Sequence, residues 1–294
     1  MIKKNSPRAW FLATRPKTLP AAATPVIVAC ALAYHDRGFQ WQPALICLLF
    51  ALIAQVISNF ANDYFDYKKG NDNEERLGPK RAVAEGWINP KLMLSVTIAL
   101  LVLDMALGLL LLRYGGWELI FVGLCVAVFA FAYSGGPYPL AYHGWGDVCV
   151  FVFFGIVPVG FTYYVQTLQW TLPATICGVC TGLVIINILV ANNYRDRFSD
   201  AKTGKKTSIV LFGEKFGERF YLINGIVAVV GCQYLLYEKA IWAALLPLVY
   251  VVFHIRTWKE MITIHQGKAL IGTLEKTARN ALIFGLLLSI SLVF

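Results

Sequence analysis

The chain has 294 residues, of which 58% are hydrophobic and only 15% charged, with a mean hydropathy of +0.61. That make-up excludes an ordinary soluble domain and points to an all-α, polytopic membrane bundle. The net charge of +9 does not signal a nucleic-acid partner, because the basic residues are confined to the connections between apolar runs.

Runs approaching the roughly 20 apolar residues a span requires recur at 19–35, 43–62, 92–112, 117–134, 147–166, 172–193, 220–236, 241–255 and 280–294. They predict nine transmembrane helices. The first follows Arg15-Pro16-Lys17 without a small-residue cleavage site, so it reads as a retained span. Of the 26 Lys and Arg residues, only Arg37, Arg113 and Lys239 fall on one side of the predicted bundle; the other 23 share the opposite side. By the positive-inside rule that side and the N-terminus are cytoplasmic. The chain reads as one domain, 1–294, with two cytoplasmic site loops, 63–91 and 194–219.

Residues 1–18 are basic and carry Trp10 and Phe11, as an interfacial segment does. Arg15 and Lys17 stand on the cytoplasmic side, where they could reach an anionic substrate. The second run ends in Asn59-Phe60-Ala61-Asn62-Asp63-Tyr64-Phe65-Asp66-Tyr67-Lys68-Lys69-Gly70-Asn71-Asp72. On a helix, Asn59, Asn62, Asp63 and Asp66 are spaced i, i+3, i+4 and i+7 and project from one face toward a common pocket. Carboxylates grouped in this way repel one another unless a cation joins them, and oxygen-only donors suit Mg2+. A solvated acidic helix end is the plainer reading, but acids at the end of a membrane span are costly without a role. The loop that follows, rich in Gly and charge, is long enough to be a binding loop.

The turn Tyr133-Ser134-Gly135-Gly136-Pro137-Tyr138, continuing through Asp147, has no Lys or Arg. It reads either as a plain Gly/Pro turn or as an aromatic wall for an apolar substrate. Cys177-Gly178-Val179-Cys180 has redox or zinc spacing, yet it lies inside an apolar run with no partner pair, so packing is the reading. Gly178 and Gly182 add a Gly-x-x-x-Gly spacing that favours close helix approach. No disulfide is implied by the seven cysteines.

The sixth run repeats the second, ending in Asn192-Asn193-Tyr194-Arg195-Asp196-Arg197-Phe198-Ser199-Asp200. Asn192, Asp196 and Asp200 are spaced i, i+4 and i+8, with Arg195 alongside. Gly204-Lys205-Lys206-Thr207 lacks the first Gly and the preceding strand of a nucleotide loop. Two acid-tipped helices separated by four spans suggest two pseudo-repeated halves in parallel orientation. Together they could hold two metal ions with a diphosphate bridged between them and Lys and Arg on the remaining oxygens. A diphosphate at a membrane interface beside an apolar bundle points to a polyprenyl diphosphate, and an electron-rich aromatic ring fits as its acceptor.

These motifs resemble the UbiA-type superfamily of intramembrane aromatic prenyltransferases. Asn59–Asp72, Gly78-Pro79-Lys80-Arg81-Ala82-Val83, Asn192–Asp196 and Gly204–Thr207 are most similar to its 1,4-dihydroxy-2-naphthoate branch, as are Arg15–Pro20 and Thr277-Ala278-Arg279. The resemblance implies that Asp63, Asp66, Asp196 and Asp200 coordinate Mg2+, with Asn59, Asn62, Asn192 and Asn193 orienting them or the diphosphate. Arg195, Lys205, Arg81, Arg15 and Lys17 would neutralise phosphate charge, and Tyr133 would stand near the prenyl cation. Where the superfamily pattern has a third Asp, this chain has Gly70, and the naphthoate branch uses an acid two positions later, here Asp72. The reaction implied is prenyl transfer with loss of CO2 in a bacterial cytoplasmic membrane, the site facing the cytoplasm. Sister enzymes acting on 4-hydroxybenzoate, a chlorophyll precursor or haem are the alternative, followed by an ion-coupled transporter, whose acids would lie nearer the bilayer midplane.

Overall fold

The computed structural model describes residues 2–70, 77–236 and 241–294. Among them the regular segments are helices, apart from one β-bridge between His143 and Lys206. A short helix α1 (Pro7–Ala13) is capped by the Ser6 hydroxyl, which accepts from Ala9 N–H. It leads through a corner at Arg15, where φ is +52°, into α2 (Leu19–His35). Then follow α3 (Trp41–Lys68), α4 (Pro90–Gly115), α5 (Leu119–Ala132), α6 (Gly146–Thr167) and α7 (Leu172–Lys202). The chain ends with a short α8 (Ser208–Phe212), then α9 (Glu214–Leu236), α10 (Ile241–Ile264) and α11 (Leu270–Val293).

Eight helical stretches among the described residues are long and apolar enough to cross a membrane, counting α1 and α2 as one. The ninth expected span, at 117–134, is the 14-residue α5. At 1.5 Å per residue α5 covers about 21 Å, short of a hydrocarbon core of about 30 Å. Its length is set by a break at Gly116 (φ +87°) and by the Gly135-Gly136 turn, where Gly136 has φ +78°.

Residues 63–68 and 194–202, counted with the site loops yet read as helical from their spacing, are helical, because α3 and α7 continue past their apolar runs. Both helices stop at a glycine in the left-handed region, Gly70 and Gly204, each at φ +73°. That is the glycine position of a helix C-terminus. An Asp at position 70 would have to adopt a backbone conformation that glycine enters far more readily.

The core is built where helices touch through small residues. On α6, a π-helical turn at Val152–Ile156 precedes Pro158, which lacks the N–H needed to continue the α-helical ladder. The turn brings Gly155 against the Gly178/Gly182 face of α7, so close that a methyl built on Gly155 would stand 2.5 Å from Gly182 Cα. The predicted Gly-x-x-x-Gly crossing is thus present. Cys177, Cys180 and Cys232 are buried in the same core as free thiols. Large apolar side chains such as Val102, Phe121, Val128 and Val230 are exposed on the outside of the bundle, as a lipid-facing surface requires.

Candidate active site

The helical extension of α3 beyond its apolar run places Asp66 at the rim of the bundle. Its two oxygens accept from Arg81 Nη2 and the Tyr142 hydroxyl, each at 2.6 Å. Arg81 is only 8% exposed, so this ion pair is held in a poorly solvated setting where losing one partner is costly. Lys69, one turn on, donates to the Ser134 carbonyl at 2.6 Å and stands 4.3 Å from the centre of the Tyr142 ring. Burial lowers the Lys69 ammonium below the ordinary lysine range, and the neighbouring Asp66 works against that shift. The Ser134 hydroxyl donates to Asn62 Oδ1.

The end of α7 supplies the second half. Arg195, 1% exposed, binds Asp196 through Nε at 2.7 Å and Nη2 at 2.6 Å, and the same Nη2 reaches Asn192 Oδ1 at 2.8 Å. Its Nη1 is buried with no hydrogen-bond partner. Asn193 is buried beside this group. Lys205 lies 3.4 and 3.5 Å from the two oxygens of Asp200 and 5.8 Å from the centre of the Tyr142 ring. Lys206 N–H donates to the Tyr142 carbonyl at 3.0 Å. Tyr142 therefore stands between the two acid-bearing helix ends, with cations from both sides on its ring.

Behind the rim an apolar cavity of about 310 Å³ runs through the bundle. Tyr133 and Asn62 line it near the rim, and Phe129, Phe153, Phe154, Pro158 and Phe161 line its walls.

Other expected site residues are held by partners within the protein. Asp63 does not face the cavity: its Oδ2 accepts from Ala82 N–H at 3.0 Å and its Oδ1 from Val83 N–H at 3.2 Å, and it is 1% exposed. It sits about 60° round the helix from Asp66, far enough to meet the 81–83 turn instead. Asn59 lines the cavity next to Asn62, while its amide is bound to the Thr14 carbonyl at 2.9 Å and the Thr18 hydroxyl at 3.0 Å and so also ties α3 to the corner before α2. Lys17 pairs with Glu275 at 2.6 Å with both side chains half-exposed or more, on the outer surface. The backbone of Arg15 forms the corner before α2. Asp72 lies outside the described residues.

Tyr142, Ser134 and Lys69 were not singled out by sequence. The one signal was the turn at 133–147, aromatic and free of cations on a side otherwise crowded with them.

Among the described residues, no three His, Cys, Asp or Glu side chains are grouped closely enough to cage a metal ion. Instead Asp66, Asp196 and Asp200 each hold a basic partner within 3.4 Å or less, and Asp66 and Asp196 lie within electrostatic range of Asp200. Oxygen donors of this kind, without a complete cage, fit Mg2+, which is usually bound by one or two carboxylates together with substrate phosphates.

Residues 22–269 match the UbiA prenyltransferase family. A 1,4-dihydroxy-2-naphthoate octaprenyltransferase of Haemophilus influenzae is 36% identical over 79% of this chain and 77% of its own length. The enzyme of the same name from Mycobacterium tuberculosis is 33% identical over 97% of both chains. Among solved structures, a UbiA homologue from Archaeoglobus fulgidus bound to GPP and Mg2+ superposes with a TM-score of 0.68 at 14% identity, covering 96% of this chain and 99% of that one. With two acid-bearing helix ends at the mouth of an apolar cavity, and with relatives that cover almost its whole length, this integral membrane protein is a prenyltransferase and belongs to the UbiA family.

Proposed function

We propose that the chain transfers a polyprenyl group from polyprenyl diphosphate to 1,4-dihydroxy-2-naphthoate, releasing CO2 and diphosphate and giving demethylmenaquinol. The observation that carries the reading is the pairing of Asp66 with Asp196 and Asp200 on either side of Tyr142, above an apolar cavity. The naphthoate acceptor rests on the relatives' activity.

Asp66, Asp196 and Asp200 would hold Mg2+, as two ions, with Asp72 as a further donor. Mg2+ bound there makes diphosphate a better leaving group by taking up charge on its oxygens. Arg81, Arg195 and Lys205, which neutralise the carboxylates at rest, would turn to the phosphate oxygens, Arg195 through its unpartnered Nη1 first. The allylic C–O bond breaks with its electron pair leaving on diphosphate. Tyr133 and the cavity's aromatic walls keep water from the resulting cation. The ring carbon bearing the carboxylate forms the new C–C bond, and the bond to the carboxylate breaks as CO2, its electron pair restoring the aromatic ring.

In this reading α5 completes nine crossings of a bacterial cytoplasmic membrane, as one domain of two related halves. The N-terminus and the acid-bearing rim face the cytoplasm, with residues 1–18 at the interface. Asp63 acts by fixing the rim rather than by touching metal or substrate, and Asn59 both braces α3 and lines the cavity.

The test is transfer of label from a long-chain prenyl diphosphate to 1,4-dihydroxy-2-naphthoate in vesicles carrying the protein, with and without Mg2+. Asp66→Ala and Asp196→Ala should each lower the rate by about a hundredfold or more. Rates within a few-fold of wild type would sink the two-helix mechanism.

A further inference from the structure

One polar side chain in the cavity wall has no place in the chemistry above. Gln55 lies on α3 two turns below Asn62, lines the apolar cavity and is 9% exposed. Its Oε1 is buried without a hydrogen-bond partner.

The orientation of that amide is dictated by a chain of bonds that starts at a backbone carbonyl. The Thr14 carbonyl can only accept, so the Asn59 atom 2.9 Å from it is Nδ2, a donor. Asn59 Oδ1 is thereby the acceptor on the other side, and the Gln55 atom 3.2 Å from it is Nε2. The Thr18 hydroxyl donates to the Arg15 carbonyl at 2.9 Å, which leaves it to accept from both Asn59 Nδ2 at 3.0 Å and Gln55 Nε2 at 3.4 Å. Flipping Gln55 would set two acceptors against each other at Asn59. Gln55 therefore presents a carbonyl oxygen, and not an N–H, as its free group in the cavity wall.

A buried acceptor without a donor is unfavourable until a ligand supplies one. The two reactants differ in this respect. A prenyl chain is hydrocarbon and its ionised diphosphate offers acceptors only. The hydroxyaromatic acceptor alone brings an O–H. We propose that Gln55 Oε1 is the hydrogen-bond acceptor for a ring hydroxyl of the aromatic substrate, and so selects hydroxyaromatics at this site. The inference rests on the prenyl-transfer reading above and names the residue by which it recognises its acceptor. The seven residues from Gln55 to Asn62 span about 10 Å of helix, so a ring held at Gln55 would lie deeper in the cavity than Asn62. A hydroxyl whose hydrogen is held by a carbonyl also donates electron density more readily into its ring, the property a carbon nucleophile needs.

The experiment compares 1,4-dihydroxy-2-naphthoate with its two mono-O-methyl ethers as acceptors for wild type, Gln55→Met and Gln55→Glu. In wild type one ether should lose about ten- to a hundredfold in kcat/KM relative to the parent, because methylation removes the donor and leaves Oε1 unpaired. Gln55→Met should lose a similar factor with the parent acceptor, show no further loss with that ether, and keep its KM for the prenyl diphosphate. Gln55→Glu, which retains an acceptor oxygen, should keep the discrimination. Wild-type transfer to the parent with neither ether disfavoured, or a Gln55→Met variant that still discriminates between them, overturns the inference while leaving the prenyl-transfer reading intact. Wild type that transfers to no hydroxyaromatic overturns both. Should Gln55→Met fail to fold, the wild-type ether comparison still decides.

Discussion

Replacing Asp63 by Asn separates two roles that its place in the motif leaves open, metal ligand or fastener of the 77–89 connection. Both Asp63 oxygens accept backbone N–H groups, from Ala82 and Val83, and Arg81 beside them reaches Asp66. Hydrogen bonds to a charged acceptor contribute about 1.5–3 kcal/mol each, and a neutral one about 1 kcal/mol. The Asn amide can accept only one of the two N–H groups and points an NH2 at the other. The substitution should therefore destabilise the closed turn by about 2–5 kcal/mol, raising its opening at least about thirtyfold. Hydrogen exchange followed by mass spectrometry, on the peptide covering Ala82 and Val83 in nanodiscs, reads that opening directly. Faster exchange there with a half-saturating Mg2+ concentration within about threefold of wild type is the expected result. Unchanged exchange together with a tenfold or larger rise in the Mg2+ requirement would refute the reasoning and return Asp63 to the metal.

Tyr142→Phe removes one 2.6 Å bond to Asp66 but keeps the ring between Lys69 and Lys205. It should lower kcat/KM for the prenyl diphosphate by about ten- to a hundredfold with little change in thermal stability, checked by steady-state kinetics and a melting curve. Lys69 carries its positive charge only below a pKa that burial has lowered. The charge is thus lost as pH rises, sooner than for a free lysine, and the alkaline limb of the kcat/KM profile should move upward in Lys69→Arg.

The parts of this protein that sequence disclosed are those in which one helix decides the outcome. Spans, acid-tipped ends of α3 and α7, and the Gly178/Gly182 crossing all follow from spacing along a single element. Asp196 and Asp200 stand on α7 as the periodicity predicts, at i and i+4. Asp63 obeys the same spacing yet serves another end, because a turn nineteen residues later supplies its partners, and Asn59, though it lines the cavity, also bonds to a corner forty-one residues earlier. Nothing in α3 announces those partners. Tyr142 was hidden for a related reason: it belongs to an aperiodic turn, and its meaning comes from two helices that converge on it. The length of the ninth helix was not legible because hydropathy alone does not register that glycines at 116 and 136 bound α5 at 14 residues.

The crossing of Gly155 with Gly178 and Gly182 has a mechanical consequence. Backbone packed directly on backbone leaves no side chains to rearrange, so α6 and α7 move as one piece, and the cavity wall on α6 is rigidly referenced to the end that carries Asp196 and Asp200. On the other side the cavity is bounded by α5 and the end of α4, and α4 is the least buried of the long helices. The vessel thus has one stiff wall and one compliant wall. On the proposed function, adjustment to prenyl tails of different bulk would fall to the α4–α5 side, and the α6 wall would keep its place relative to the acid-bearing end of α7.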